Sequence, residues 1–418
     1  MTSEVFVYVM LPGQTSFVTA GRFELSSDRL GNPRGRFVYG RRYLERADAV
    51  ALDPLELKLE ERTFETLHLK GLFGALRDSS PDHWGRRVIE KHAGVAALDE
   101  LDYLLQSPDD RAGALGFGLN VEPPAPKRQF NRTIELERLQ ELADALMRDE
   151  IDPDNRDQVQ AQDLLLLGTS MGGARPKAVV EDEGALWIAK FNRRDDSWNQ
   201  ARVEHAMLRL AHECGLRVAH SRIVKVGARD ALLVRRFDRE HSEAGYLRAR
   251  MLSALTLLRT GDSHLDRERW SYLLLVEELR RLCENPKDDA RELFKRAVFN
   301  ALISNTDDHP RNHAVIAQGS AWQLSPAYDL TPMPLVSTER RDLAMSLGDL
   351  GRRASAQNLV SQCARFLLTP DEANALIDEM EAIVRTRWHE IARREGVSER
   401  DCEVISRSFV YEGFRLES

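Results

Sequence analysis

From about residue 250 to its end the chain repeats apolar residues at helical spacing, whereas the stretch between about 160 and 240 holds them in short β-rich segments paired around turns. The helical texture is carried by WSYLLLVEELRRLCEN, RELFKRAVFNALISN and a long run from Thr369 to Arg394. Side chains of period two line one face of a sheet and those of period 3.6 line one stripe of a helix, so the two blocks bury their apolar faces in different layers. The pattern predicts an α+β chain in which a strand-rich lobe precedes a helical one. The last helix is signposted most clearly: Thr369 stands as N-cap, Pro370 opens the first turn, Glu372 completes a capping box, and Leu376, Met380, Ile383, Val384, Trp388 and Ile391 form its stripe.

Ahead of these blocks lies a third texture. Residues 4 to 9, 35 to 39 and 115 to 119 read as strands, while 63 to 77 and 81 to 92 carry helical spacing, which makes the first part a small α/β module. Asp82, His83 and Trp84 in SSPDHWGRR read as a capped helix start with a half-buried Trp. The Pro-rich EPPAPKR at 122 to 128 marks a linker, followed by a helix with Ile134, Leu136, Leu139, Leu142 and Leu146 on one stripe. Expected domains are therefore 1–125, 126–240 and 241–418. Within the middle one, EDEG (181 to 184) turns one hairpin and GARD (227 to 230) a second. Between them Ser197 and Gln200 form a candidate capping box for a helix that Gly215 closes.

With 418 residues, 42% of them hydrophobic, the chain has the material for a large core and several domains. A formal net charge of -8 argues against a broad phosphate-binding face, so direct nucleic-acid binding is disfavoured. The cysteines Cys214, Cys283, Cys363 and Cys402 stand apart and form no C-x-x-C pair, which fits reduced, buried thiols. Neither a signal-like N-terminus nor an apolar stretch of about 18 residues is visible, and a cytoplasmic protein is expected.

Four features could carry chemistry. GTSMGGARPK (168 to 177) lets backbone N–H groups approach phosphate oxygens without obstruction, and Arg175 and Lys177 add positive charge. It matches neither standard phosphate-loop pattern, so a plain turn is the competing reading. Lys190, in WIAKF at the far end of the first hairpin, is placed to meet phosphates, with Glu204 on the next helix to orient it; the alternative is a strand-edge lysine in solvent. SNTDDHPRNH (304 to 313) follows an apolar helix and offers Asp307 and Asn312 at D-x-x-x-x-N spacing, a proton acceptor and a magnesium-holding amide oxygen. LSPAYDLTP (324 to 332) returns a second carboxylate, Asp329, by a short hairpin formed from 314 to 316 and 322 to 324 around QGS, and a metal-bridged triphosphate needs oxygen ligands from both sides. A strand-rich lobe with Gly-rich turn and lysine, then a helical lobe with this loop, is the order expected of kinase-like phosphotransferases.

His309 and His313 raise a transition-metal hydrolase as an alternative, but H-E-x-x-H is absent and Pro310 interrupts any helix presenting both rings. Asp308, Arg311 and His313 read as solvent-facing or scaffold residues, and a wholly structural loop leaves the companion Lys190 and Asp329 unexplained.

These residues resemble the HipA-like serine/threonine kinases, toxins of bacterial toxin-antitoxin modules. The likeness lies in S-x-x-G-A-x-x-K (Ser170, Gly173, Ala174, Lys177), N-T-D-D-H-x-x-N (Asn305 to Asn312), YDL (Tyr328 to Leu330) and LLVRRFDR. It implies a two-lobed protein-kinase-like fold with an N-terminal α/β module and a mostly helical C-terminal lobe. It implies ATP and magnesium as cofactors, Asp307 as catalytic base, and Asn312 and Asp329 as magnesium ligands. Lys190 and the phosphate loop (Gly172, Gly173, Ala174, Arg175, Pro176, Lys177) would meet phosphates. Backbone groups of Arg235 and Phe237 would meet adenine, and His309 and Tyr328 would line the nucleotide. It further implies autophosphorylation of Ser170, which would eject the loop through added charge. The expected partners are a helix-turn-helix HipB-like antitoxin, DNA only through it, and a protein substrate such as an aminoacyl-tRNA synthetase. A small-molecule phosphotransferase and a non-enzymatic co-repressor with a vestigial nucleotide site are the competing functions.

Overall fold

The computed structural model describes residues 3–95, 98–126, 130–148, 175–334, 337 and 339–416. Two compact units divide the chain, the first made of Met1–Arg194, Leu233–Leu252 and Ile316–Ser320, the second of Asp195–Leu232, Ser253–Val315 and Ala321–Ser418. The linker expected near 125 falls inside the first unit, where Asn131 and Arg132 pair in parallel with Val180 and Glu181.

In the first unit an antiparallel sheet runs in the order β4-β3-β2-β1-β5, from β1 (Glu4–Met10), β2 (Phe17–Ser27), β3 (Pro33–Tyr39), β4 (Thr63–Thr66) and β5 (Leu115–Gly118). Alternation sets its buried face: Val5, Val7 and Val9 of β1, Phe23 of β2, Phe37 and Tyr39 of β3 and Phe64 of β4 are all buried. The predicted helix over 63 to 77 is corrected. Thr63 to Thr66 alternate exposed and buried and pair with β3, and Gly71 at φ 80° stops any helix from running through, so that only the short helix Gly74–Asp78 keeps the expected helical form. β2 was not anticipated, although FVTAGRFEL alternates; its Gly21 lies where a Cβ would come within 2.3 Å of the Val38 carbonyl oxygen.

Helix α1 (His83–Ala93) starts as predicted at Asp82, whose Oδ1 accepts from the Gly85 amide at 2.6 Å. Trp84, expected to be half-buried, is fully buried, because its indole is needed inside as described below. Helix α2 (Leu136–Met147) buries Leu136, Leu139, Leu142 and Leu146, but Ile134 is 88% exposed. The reason is local: Thr133–Glu135 is a 3-10 turn, which takes Ile134 out of the helical register. The short strand β6 (Asn131–Arg132) pairs with β7 (Lys177–Asp182), and the hairpin of β7 and β8 (Ala185–Phe191) turns at Glu183 and Gly184, both at positive φ (49° and 70°), as a two-residue loop matching strand twist demands. β10 (Arg229–Arg235), whose end lies in this unit, is next to β8, and the hairpin β11 (Arg239–Ser242) and β12 (Gly245–Arg248) follows.

The second unit begins with α3 (Gln200–Glu213). Its cap is the Asn199 side chain, which accepts from Arg202 N at 3.1 Å; the Ser197 capping box does not form because an amide acceptor stands directly before the first turn. β9 (Ser221–Val226) precedes β10 across the predicted Gly227 turn. Helices α4 (Tyr272–Leu282), α5 (Pro286–Leu302) and α6 (Pro370–Arg394) build the rest, α5 packing on both α4 and α6. α6 shows the predicted capping box: Glu372 N donates to Thr369 Oγ1 at 3.2 Å and Thr369 N to Glu372 Oε2 at 2.8 Å. No helix among the described residues is long and apolar enough to cross a membrane.

Candidate active site

α5 ends at Leu302, and Ser304 then adopts φ 54°, which turns the chain out of the helix axis into the 304 to 313 loop. The loop is held by its own backbone. Asn305 N donates to Asn300 O at 2.8 Å, His309 N to Asp307 O at 2.8 Å and Asn312 N to His309 O at 2.9 Å. Pro310 opens a 3-10 turn to Asn312, so the missing N–H costs no hydrogen bond there.

This folding sends two adjacent aspartates in opposite directions. Asp308 is 1% exposed and its Oδ2 accepts from the Tyr272 hydroxyl and meets His313 Nε2 at 2.9 Å. Asn300 Nδ2 donates to the same Tyr272 hydroxyl at 3.1 Å, and Asn305 Nδ2 to Asn300 Oδ1 at 3.0 Å. Asp308 and His313 are therefore scaffold and not solvent-facing, while Arg311 pairs with Asp262 at 2.6 Å. Burial and Asp308 together push the Tyr272 phenol well above its ordinary range, so it stays a donor to that carboxylate.

Asp307 instead reaches the surface. The protein around it still displaces enough water that partial burial pushes its carboxyl above the ordinary carboxylate value; His309 opposes the shift, and Asp329 and Asp308 reinforce it. The Tyr328 hydroxyl, which donates to Arg311 O at 2.9 Å, and Met333 N, which donates to Ser304 O at 3.2 Å, bring the loops that carry Asp307 and Asp329 together. Asn312 Nδ2 points to the Asp307 carbonyl at 3.4 Å, which turns the oxygen end of the amide the other way. His309 Nδ1 is buried and meets no hydrogen-bond partner among the described residues, with Trp270 edge-on to the ring at 6.3 Å.

The YDL segment is anchored from both ends. Ser325 N donates to Ala314 O at 2.8 Å, closing the predicted hairpin of Ala314–Ala317 and Gln323–Leu324; Ala327 N donates to Arg217 O at 2.7 Å, and the Tyr328 hydroxyl donates to Arg311 O at 2.9 Å. Past it, Met333 N returns to Ser304 O at 3.2 Å. Between these anchors Asp329 sits at φ 60°, a left-handed conformation that an aspartate adopts at a cost and that the flanking bonds enforce. Glu204 is buried on α3 of this unit.

The remaining candidates lie in the first unit. Lys190 is half-buried near the end of β8, directly opposite Lys177 in register. Lys177 departs from the expected phosphate-facing role: it is 2% exposed and its Nζ lies 2.7 Å from Asp82 Oδ2, so its charge is committed to a buried carboxylate. Trp84 Nε1 donates to the Lys177 carbonyl at 3.1 Å, which is why that indole is buried. Pro176 O accepts from Phe191 N at 3.0 Å, and Arg175 is half-buried. Arg235 is exposed and Phe237 half-buried, whereas their neighbours Arg236, Asp238 and Arg239 point inward. Ser170, Gly172, Gly173 and Ala174 lie outside the described residues. Nothing local in RRFDR separates its inward charges from its outward residues, because the strand ends at Arg235 and Phe237 and Asp238 form a turn.

Two carboxylates on separate loops that repel each other, an amide five residues from one of them and an orphaned imidazole nitrogen fit a bound cation and a polar ligand. No group of three or more His, Cys, Asp or Glu side chains able to share a metal is present among the described residues.

Comparison with known proteins bears on family and fold. The HipA N-terminal domain model matches residues 16–118. A Shewanella oneidensis protein named serine/threonine-protein kinase toxin HipA is 30% identical over 161 residues, covering 35% of this chain and 37% of its own length. A Sinorhizobium fredii relative, named only provisionally as a kinase, is 24% identical over 75% of each chain. The solved structure described as Shewanella oneidensis MR-1 HipA with HipB and operator DNA covers 97% of this chain and 94% of its own, with a TM-score of 0.69 at 19% identity, which shows a shared α+β, kinase-like fold. Since the HipA-like C-terminal domain model matches residues 169–388, more than half of the sequence, the chain belongs to the HipA-like family.

Proposed function

We propose that this protein is an ATP- and magnesium-dependent serine/threonine protein kinase of the HipA toxin type. The observation that carries the reading is that the hydrogen bonds from Tyr328 to Arg311 and from Met333 to Ser304 hold the Asp307 loop beside the Asp329 loop, with Asp307 exposed and its carboxyl pushed above its ordinary pKa by partial burial. A raised pKa makes Asp307 a stronger base, and the repulsion from Asp329 is relieved by a cation between the loops. Asp307 would accept the proton of a seryl or threonyl hydroxyl, and Asn312 and Asp329 would hold the cation. Lys190 would meet phosphate oxygens beside the phosphate loop, the Arg235 and Phe237 backbones would meet adenine, and His309 and Tyr328 would line the nucleotide. When bound, magnesium–ATP supplies the transferable phosphoryl group with its charge already partly neutralised.

The same proposal includes self-inactivation at Ser170, a protein target such as an aminoacyl-tRNA synthetase, and a HipB-like antitoxin through which DNA would be contacted. The net charge of -8 suits a protein that leaves DNA contact to a partner. A phosphoproteome of cells expressing the wild type or Asp307→Gln tests it: phosphate on Ser170 and on a protein target is expected with the wild type alone. Undiminished transfer by Asp307→Gln and Asp329→Ala would overturn it. Phosphorylation of small molecules alone would favour a small-molecule phosphotransferase, and ATP binding without turnover a co-repressor.

A further inference from the structure

Both elements that would hold the two ends of a nucleotide in the first unit, the Arg235–Phe237 hinge and the Lys177/Lys190 strand pair, are tied to the N-terminal module by charges that never reach solvent. At the hinge, the Arg236 side chain is fully buried; it donates to Asp110 O at 2.6 Å and Arg111 O at 3.1 Å, and from Nε to Asp238 Oδ1 at 3.0 Å. Arg239 donates to Gly113 O at 2.9 Å, to Arg111 O at 2.6 Å and to Asp238 Oδ2 at 2.8 Å. The Gly113 amide completes the set by donating to Asp238 Oδ2 at 2.9 Å. Residues 110 to 113 thus present carbonyls to a fixed fork of guanidiniums and an N–H to the Asp238 carboxylate, a geometry that a lysine cannot reproduce. The strand ends at Arg235 and the chain turns at Phe237 and Asp238, so the buried, multiply bonded Arg236, Asp238 and Arg239 fix the course of the backbone through Arg235 and Phe237.

At the other end, Lys177 and Lys190 are directly opposed across β7 and β8, so their side chains share a face where like charges repel. Asp82 relieves that repulsion by pairing with Lys177, and as the N-cap of α1 it is itself held in place. Buried ion pairs add little net stability over apolar packing, and what these add at both ends is fixed geometry.

We infer that Asp82 and the 110 to 113 segment of the N-terminal module are positioning elements for the nucleotide, the first acting on Lys190 through Lys177 and the second on the Arg235–Phe237 hinge through Arg236, Asp238 and Arg239. The inference rests on the kinase reading. It assigns the module a part in ATP recognition: the hinge cluster sets adenine selection and Asp82 sets the phosphate contact.

The test uses the full chain as wild type, Arg236→Lys and Asp82→Asn, measuring ATP–magnesium and GTP–magnesium binding, KM and kcat for ATP, and thermal unfolding. Arg236→Lys should raise KM for ATP about tenfold with kcat little changed, and should narrow the preference for ATP over GTP. Asp82→Asn should raise KM for both nucleotides alike, since only the phosphate end is disturbed. A wild type that binds no nucleotide sinks the kinase reading and this inference with it. A wild type that binds ATP beside folded variants that bind it equally well sinks the inference alone, and so does loss of cooperative unfolding in both variants, because the clusters would then serve folding only.

Discussion

The 304 to 313 loop of the second unit and the RRFDR segment of the first use one device with different chemistry. In each, a residue offered outward is braced by an inward neighbour: Asp307 by Asp308, and Arg235 and Phe237 by Arg236 and Asp238. The bracing differs in kind. Asp308 is satisfied by a phenol and an imidazole, whereas Asp238 is satisfied by two guanidiniums that hold its carboxyl far below the ordinary range despite complete burial. Removing a carboxylate bonded to a phenol and an imidazole leaves those groups short of an acceptor, whereas removing one between two buried guanidiniums leaves charges stranded.

The largest expected effect separates the outward residue from its brace. Asp307→Asn should cut phosphate transfer by about 10³-fold with thermal stability unchanged or slightly raised, checked by rate of label incorporation and by calorimetry. The sign follows from the shift: a carboxyl with a raised folded pKa opposes folding once ionised, so neutralising it removes a cost. By the same shift, phosphate transfer should fall on acidification at a higher pH than an ordinary aspartate would give, visible in a pH–rate profile of the wild type.

Next in size are the braces. Asp238→Asn should destabilise by about 3–5 kcal/mol, because Arg236 and Arg239 lose their shared counter-charge. Asp308→Asn should destabilise by about 1–3 kcal/mol, since it weakens hydrogen bonds to a phenol and an imidazole and strands no pair of guanidiniums. Equal losses in urea unfolding would break the comparison. Their pH dependence sharpens it: the contribution of Asp238, with its folded pKa depressed, is present above the ordinary carboxylate value near about 4 and declines as pH falls below it. The smallest effect is a control away from both regions. Thr369→Ala should remove the α6 cap for about 1 kcal/mol, read as a fall in melting temperature with phosphate transfer intact.

How much of this was legible depended on whether a signal was local. The α6 capping box, the EDEG turn and the α1 cap at Asp82 were readable because each satisfies backbone groups within a few residues. β4 was misread as helix because its pairing with β3 is non-local, and Ser197 lost the α3 cap to Asn199 because two acceptors stood within reach of one helix start. The candidate site divided in the same way. Asp307, Asn312 and Asp329 were visible by residue type and spacing, but nothing local distinguishes Asp307 from Asp308, or a phosphate-facing Lys177 from one buried against a carboxylate 95 positions earlier.

The order of the textures, the caps and turns, and the set of residues able to accept a proton or hold a cation are properties of the sequence alone, since each follows from side-chain chemistry and short-range geometry. Which charge faces water and which is buried was decided by the tertiary structure. Moving a charge out of water is costly, and the partners that offset that cost for Lys177, Asp238 and Asp308 come from Asp82, from the backbone of 110 to 113 and from Tyr272, which only the folded chain brings to them.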